Sequence, residues 1–108
     1  MKKIGIVVIL LTAFMVLGCD KPPEGTVYSV IYHDNGSTSG HVPNDFNEYT
    51  TGMEAIVLDK GTLLKTGYTF QHWNTKSDGT GDSYTSGNII RINYLDVFLY
   101  AIWLESAE

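Results

Sequence analysis

The span Lys65–Gly87, KTGYTFQHWNTKSDGTGDSYTSG, constrains the fold most, because it crowds Tyr68, Phe70, Trp73 and Tyr84 together with four glycines. Tyr68, Phe70 and Trp73 read as a short apolar strand. Asn74 to Asp82 is a run of turn formers without one apolar residue, and Tyr84 restarts the chain. A loop of that composition has no face of its own to bury, so the aromatics on either side must hold it against a shared sheet.

The chain has 108 residues, enough for one small domain at most. Cys19 is its single cysteine, which excludes an internal disulfide framework and a Cys-based zinc site. The core must therefore be purely hydrophobic. Twelve of the thirteen aromatics follow Cys19, a dense supply at a size where only about 60% of the unfolded surface is buried. Tyr32, Tyr68, Phe70, Trp73, Tyr84, Leu99 and Trp103 are the expected core.

Met1-Lys2-Lys3 is a basic start, and Ile4 to Leu17 is apolar apart from Gly5 and Thr12. These 14 residues fall short of the roughly 20 that span a bilayer as a helix, and small Gly18 stands just before Cys19, so residues 1–18 read as a targeting segment. Val16-Leu17-Gly18-Cys19 resembles the lipobox of bacterial lipoproteins. That resemblance implies cleavage between Gly18 and Cys19, a diacylglyceryl group on the Cys19 thiol and usually an acylated amine. The protein would then sit lipid-anchored in the cell membrane, facing the periplasm or the exterior. The competing readings are a secretory peptide with an incidental cysteine, or a short anchor helix. Asp20 resembles the residue that retains enteric lipoproteins in the inner membrane.

Removal of the targeting segment leaves 5 basic and 12 acidic residues, a net charge of −7. An acidic surface repels nucleic acid and anionic headgroups, so nucleic-acid binding is disfavoured and acyl chains rather than electrostatics must hold the protein at the membrane. Residues 19–25, with Pro22 and Pro23, read as a short extended tether.

From Thr26 the pattern turns to period two, with Tyr28, Val30 and Tyr32 on one face and Ser29, Ile31 and His33 on the other. Asp34-Asn35-Gly36 closes that strand with residues that tolerate positive φ. Asn44 to Gly52 reads as irregular, with Phe46 and Tyr49 as loop anchors. Glu54 to Leu58 and Ile89 to Tyr94 are further strands, and Asp96 to Leu104 is the longest strand signal.

These segments carry a family resemblance. Val30-x-Tyr32 with Asn35-Gly36, Gly40-x-Val42-Pro43, Tyr49-x-x-Gly52, Lys65-Thr66-Gly67-Tyr68-Thr69-Phe70, Trp73-Asn74-Thr75-Lys76, Asp78-Gly79-Thr80-Gly81, Tyr84-x-x-Gly87 and Asp96-Val97-x-Leu99-Tyr100-Ala101-x-Trp103 follow in the order of a Listeria–Bacteroides repeat, the B-repeat type of internalins. The match runs from about Tyr28 to Trp103. It implies a mainly β, at most α+β, small β-grasp-like single-sheet domain with long loops over residues 26–104, followed by a tail at 105–108. It also implies a stalk or interaction role rather than catalysis. The chain departs from the pattern at His72, where the family usually has Gly, and at Phe98 and Ile102, where it has polar residues.

No chemistry stands out against this reading. His33, His41 and His72 lack the i, i+2 or i, i+4 spacing that sets two imidazoles side by side on a metal. Asn74 to Asp82 superficially resembles a calcium loop, but an EF-hand register puts Lys76 at the third position and Thr85 at the twelfth, so Asp78 and Asp82 are expected to stabilise turns through their side chains. There is no serine elbow, phosphate loop or apolar carboxylate pair. The chain thus reads as a non-enzyme without cofactor or metal, a lipid-anchored surface interaction or adhesion module whose ligand is a protein, a cell-wall polymer or a second copy. The alternative is a glycan-binding module that stacks sugars on Trp73 or Trp103. Phe98, Tyr100 and Ile102 make the second face of the last strand apolar. That face needs cover, either from the Asn44 to Gly52 connection or the tether, or from a partner.

Overall fold

A computed structural model describes residues 23–106, so the targeting segment, the Gly18–Cys19 cleavage site and the anchor at Cys19 lie outside the described residues. The described chain contains no helix. Its strands are β1 (Val30–His33), β2 (Glu54–Ile56), β3 (Tyr68–Asn74), β4 (Ser83–Tyr84), β5 (Ile89–Arg91) and β6 (Val97–Glu105). They divide into a four-stranded mixed sheet, β1-β6-β3-β4, and a separate antiparallel ribbon, β2-β5, rather than a single sheet. The division has a physical reason: with no helix among the described residues, the apolar sheet face is covered by the ribbon together with Leu63, Tyr28 and Tyr49 of the connections.

The longest strand, β6, is central. It pairs parallel with β1, Tyr32 opposite Leu99, and antiparallel with β3, Trp73 opposite Ala101. Alternation then aims Val30, Tyr32, Trp73, Leu99 and Ala101 into one core, where Ala55, Val57, Ile90 and Ile92 of the ribbon side, Leu63, and the connection residues Tyr28 and Tyr49 meet them. Two buried donors stitch the layers: the Trp73 indole N–H to the Leu58 carbonyl at 2.9 Å, and the Leu58 N–H to the Tyr32 hydroxyl at 2.9 Å.

A bulge in β3 lets residues three apart share a face. Phe70 opposes Trp103 and His72 opposes Ile102, so the register shifts at Gln71. Phe70 and Trp73 consequently point the same way, edge to face with centroids 5.1 Å apart, and Phe70 meets Trp103 at 5.9 Å. Tyr68 is a correction to the expected core. It opposes Glu105 at the far end of β6, past the last core residue, and stays 40% exposed with Lys65 Nζ 4.2 Å above its ring. Tyr84, Phe70 and Trp103 pack against the core half-buried.

The turns follow the sequence closely. Asn35 takes φ 50° and Gly36 φ 95° after β1. Gly40 has no room for a side chain, since a Cβ there would collide with the Thr62 carbonyl. Of the two loop anchors, Tyr49 is buried and bridges Tyr28, whereas Phe46 is 88% exposed. The tether differs from an extended segment where it is described: the N–H and hydroxyl of Thr26 both donate to the Pro23 carbonyl, closing a turn. At the other end β6 continues one residue past the expected boundary, to Glu105, and Ser106 donates its N–H to the Gly67 carbonyl.

Candidate interaction surface

The outer face of β6 is apolar because Phe98, Tyr100 and Ile102 alternate with the core residues Leu99 and Ala101. The Asn44 to Gly52 connection does not cover it. Tyr49 sits in the core on the opposite side, since its backbone pairs with Tyr28 in both directions. Cover comes instead from β1 and from the loop after β3. The His33 ring stacks on Tyr100 at 4.7 Å and 13° and leans over Phe98 at 5.8 Å. A Cβ added at Gly79 would stand 3.7 Å from Ile102 Cδ1, so the loop packs against that side chain. Tyr100 and Ile102 end half-buried, and Phe98 remains 43% exposed.

Asn35 fixes this arrangement. Its carboxamide donates to the Ala101 carbonyl at 2.8 Å and to the Ser77 carbonyl at 2.9 Å, tying the β1 turn, β6 and the loop together. Trp103 adds an indole N–H bond to the Asp34 carbonyl at 3.0 Å. The glycan reading loses one of its two platforms here, because Trp73 has no exposed surface.

The Asn74–Asp82 loop is built by Asn74, a residue that sequence reasoning passed over as a turn former. Wholly buried, its carboxamide donates to the Gly79 and Gly81 carbonyls and to Ser83 Oγ, and accepts from the Lys76 and Gly81 N–H groups. The only sequence signal was its place directly after Trp73. Asp78 accepts from the Thr80 hydroxyl at 2.7 Å and the Thr80 N–H at 3.1 Å, and the hydroxyl bond, then the N–H bond, hold its carboxyl below the usual range. Asp82 works through its backbone, bonded in both directions to Thr75.

The histidines are dispersed. His33 lies on Tyr100, His41 engages Thr62 through its backbone, and His72 Nε2 stands 3.2 Å from Ser83 Oγ. The His72–Ser83 pair is exposed, and among the described residues no carboxylate bonds its imidazole. Among the described residues no group of three His, Cys, Asp or Glu side chains is placed to hold a metal. A polar cleft of about 560 Å³ runs beside β1, bounded by Tyr32, His33, His41 and Asn44. A more apolar one of about 440 Å³ lies at the start of β6, bounded by Arg91, Tyr94, Leu95 and Phe98.

A family model for the Listeria-Bacteroides repeat domain matches residues 28–102. Two curated proteins of Evansella cellulosilytica are similar. One, named "Putative Gly-rich membrane protein", is 42% identical over 76 residues, which is 70% of this chain and 9% of that protein. The other, named "Putative membrane protein", is 37% identical over 79 residues, 73% of this chain and 12% of that protein. The chain thus spans a small fraction of the curated relatives it matches. No solved structure matches it.

Proposed function

Because the chain belongs to the Listeria-Bacteroides repeat family, we propose that it presents one non-catalytic interaction module on a bacterial envelope, held there by acyl chains on Cys19. One observation carries the reading: the matched repeat begins at Tyr28, directly behind the Val16-Leu17-Gly18-Cys19 motif, with a turn-forming tether between them. The membrane-protein names of the Evansella relatives agree with that placement. Two acyl chains give stable attachment where one is marginal.

The module offers the Phe98–Tyr100–Ile102 stripe to its partner. The stripe is apolar, and the His33 imidazole already stacks on the Tyr100 ring that a sugar would need, which suits a protein surface better than a polysaccharide. Among the described residues the exposed Ser83–His72 pair has no orienting third group to make it a nucleophile and base.

Mass analysis of the mature protein tests the anchor. The expected N-terminus is a diacylated or triacylated Cys19, and Cys19→Ser should leave an unprocessed or soluble form of unchanged fold. A Cys19→Ser protein that is still cleaved and still fractionates with membrane overturns the reading.

A further inference from the structure

Four of the eleven exposed large apolar side chains of the described residues lie at one end of the domain. Val27, Met53, Tyr94 and Leu95 gather at the end where the chain comes into the fold, and Leu95 is 77% exposed. The hydrogen bonds place them there. Ser29 N–H donates to Asp96 Oδ1 and Val97 N–H to the Ser29 carbonyl, both at 2.9 Å, so the incoming chain lies against the start of β6. Ile92 N–H donates to the Met53 carbonyl at 2.8 Å and the Thr51 hydroxyl to the Asn93 carbonyl at 2.8 Å, which brings the loop before β2 to the same end. The open, apolar cleft at the start of β6, lined by Tyr94 and Leu95, lies at this end too.

We propose that this end of the domain rests on the lipid surface, with Leu95 and Tyr94 in the interface between headgroups and acyl chains. The inference builds on the anchor proposed at Cys19. From Cys19 to Pro23 there are four residue steps, no more than about 14 Å at full extension, and the turn from Pro23 to Thr26 shortens the reach further. β6 itself runs about 30 Å from Val97 to Glu105. A tether that short keeps the Leu95 end, where the chain enters the fold, near the bilayer, and the seating of Leu95 and Tyr94 in the lipid turns the Leu104 end away from it. Tethering also replaces free binding by a high local concentration, so a modest apolar contact suffices to orient the domain. The chemistry fits the interface: Tyr94 has an apolar ring with a polar tip, and the exposed Arg91, which donates to the Gly52 carbonyl at 3.0 Å and to Glu54 at 3.4 Å, keeps its remaining guanidinium N–H groups for the phosphate level. The seated domain would carry Tyr100 and Ile102 sideways, clear of the lipid.

Cys19 is the only cysteine, so in the lipidated protein Leu95→Cys or Leu104→Cys supplies the only free thiol for a spin label. Each full-length lipidated variant is reconstituted in phosphatidylcholine vesicles, and the label's collisions with oxygen and with a water-soluble nickel chelate are compared. The expected result is an oxygen-to-nickel collision ratio several-fold higher at position 95 than at position 104. Equal ratios in protein that sediments with the vesicles overturn the lipid seat and leave the anchor standing. Protein that does not sediment with the vesicles overturns the anchor and the seat together. A label at 95 shielded from oxygen and nickel alike marks burial against protein, and also overturns the seat.

Discussion

Asn74 holds Gly81 from both sides: its Oδ1 accepts the Gly81 N–H at 2.9 Å while its Nδ2 donates to the Gly81 carbonyl at 3.2 Å. With further bonds to Gly79, Ser83 and Lys76, one buried amide replaces the apolar face that the loop lacks. Asn74→Ala should strand several of these groups and cost on the order of 3 kcal/mol. Asn74→Asp should do at least as much damage at neutral pH, because a carboxylate would face the Gly79 and Gly81 carbonyls, and should recover in part on acidification. Urea denaturation at neutral and acid pH measures both; an Asn74→Ala midpoint equal to wild type would show that the loop is held by other means.

The two tryptophans should separate. Trp73 has no exposed surface and donates to Leu58 inside the core, so Trp73→Ala should cost roughly 3–5 kcal/mol, comparable with the whole stability of so small a domain. Trp103 is half-buried at the core margin, and Trp103→Ala should cost about 2 kcal/mol. Single-tryptophan variants give a second measure. Trp103→Phe should leave blue emission that iodide cannot quench, and Trp73→Phe should leave redder, quenchable emission.

The strands were legible because their periods are clean: Val30 and Tyr32, Ile90 and Ile92, Leu99 and Ala101 all fall on the inward face where alternation puts them. Tyr68 was not, since the same alternation applies to it and only the end of the core beyond Trp103 leaves it exposed. Period two alone would also set Phe70 and Trp73 on opposite faces; the bulge at Gln71 reunites them, and no residue type announces it. Asn74 shows the complementary gap. A turn-forming residue carries the same composition signal whether its amide faces water or is buried and bonds five partners, and tertiary placement alone decides.

Alkaline pH should destabilise the fold through two core tyrosines. Burial raises the Tyr32 and Tyr49 hydroxyls above the usual 10.0, and for Tyr49 the bond to Asp45 at 2.6 Å raises it further. The folded state then keeps protons that the unfolded state has released, so stability is intact below the ordinary tyrosine value and falls as pH rises through the folded one. Tyr49→Phe should lose about 1 kcal/mol at neutral pH with its hydrogen bond, and should soften the alkaline decline. Thermal midpoints from about pH 8 to about pH 12 read both effects.

On the acid side the sign reverses. The carboxyl of Asp78 is held below its usual 3.8 by Thr80, so its contribution is present above that value and lost as pH falls through the lower folded one. Asp78 is fully exposed, and Asp78→Asn should lower the neutral midpoint only slightly and match wild type at low pH, which flattens the acid limb of the stability profile. A large loss at neutral pH would mean that the loop depends on Asp78 more than on Asn74.

The outer stripe of β6 allows the sharpest separation of packing from function. Phe98 is 43% exposed, touched chiefly by the tilted His33 ring, and Ile102 meets the loop at Gly79. Phe98→Thr with Ile102→Gln restores the polar residues that the repeat pattern carries at these positions. Neither side chain reaches the inward core of Trp73, Leu99 and Ala101, so the double variant should lose no more than about 1 kcal/mol, and the fold and the lipid anchor should be unchanged. If the stripe receives a partner or a second copy, the same variant should abolish capture from the native envelope and any self-association seen by sedimentation, since polar groups would be buried there unpaired. A drop of several kcal/mol with association intact would instead make the stripe part of the core, with His33 and the Gly79 loop as its lid.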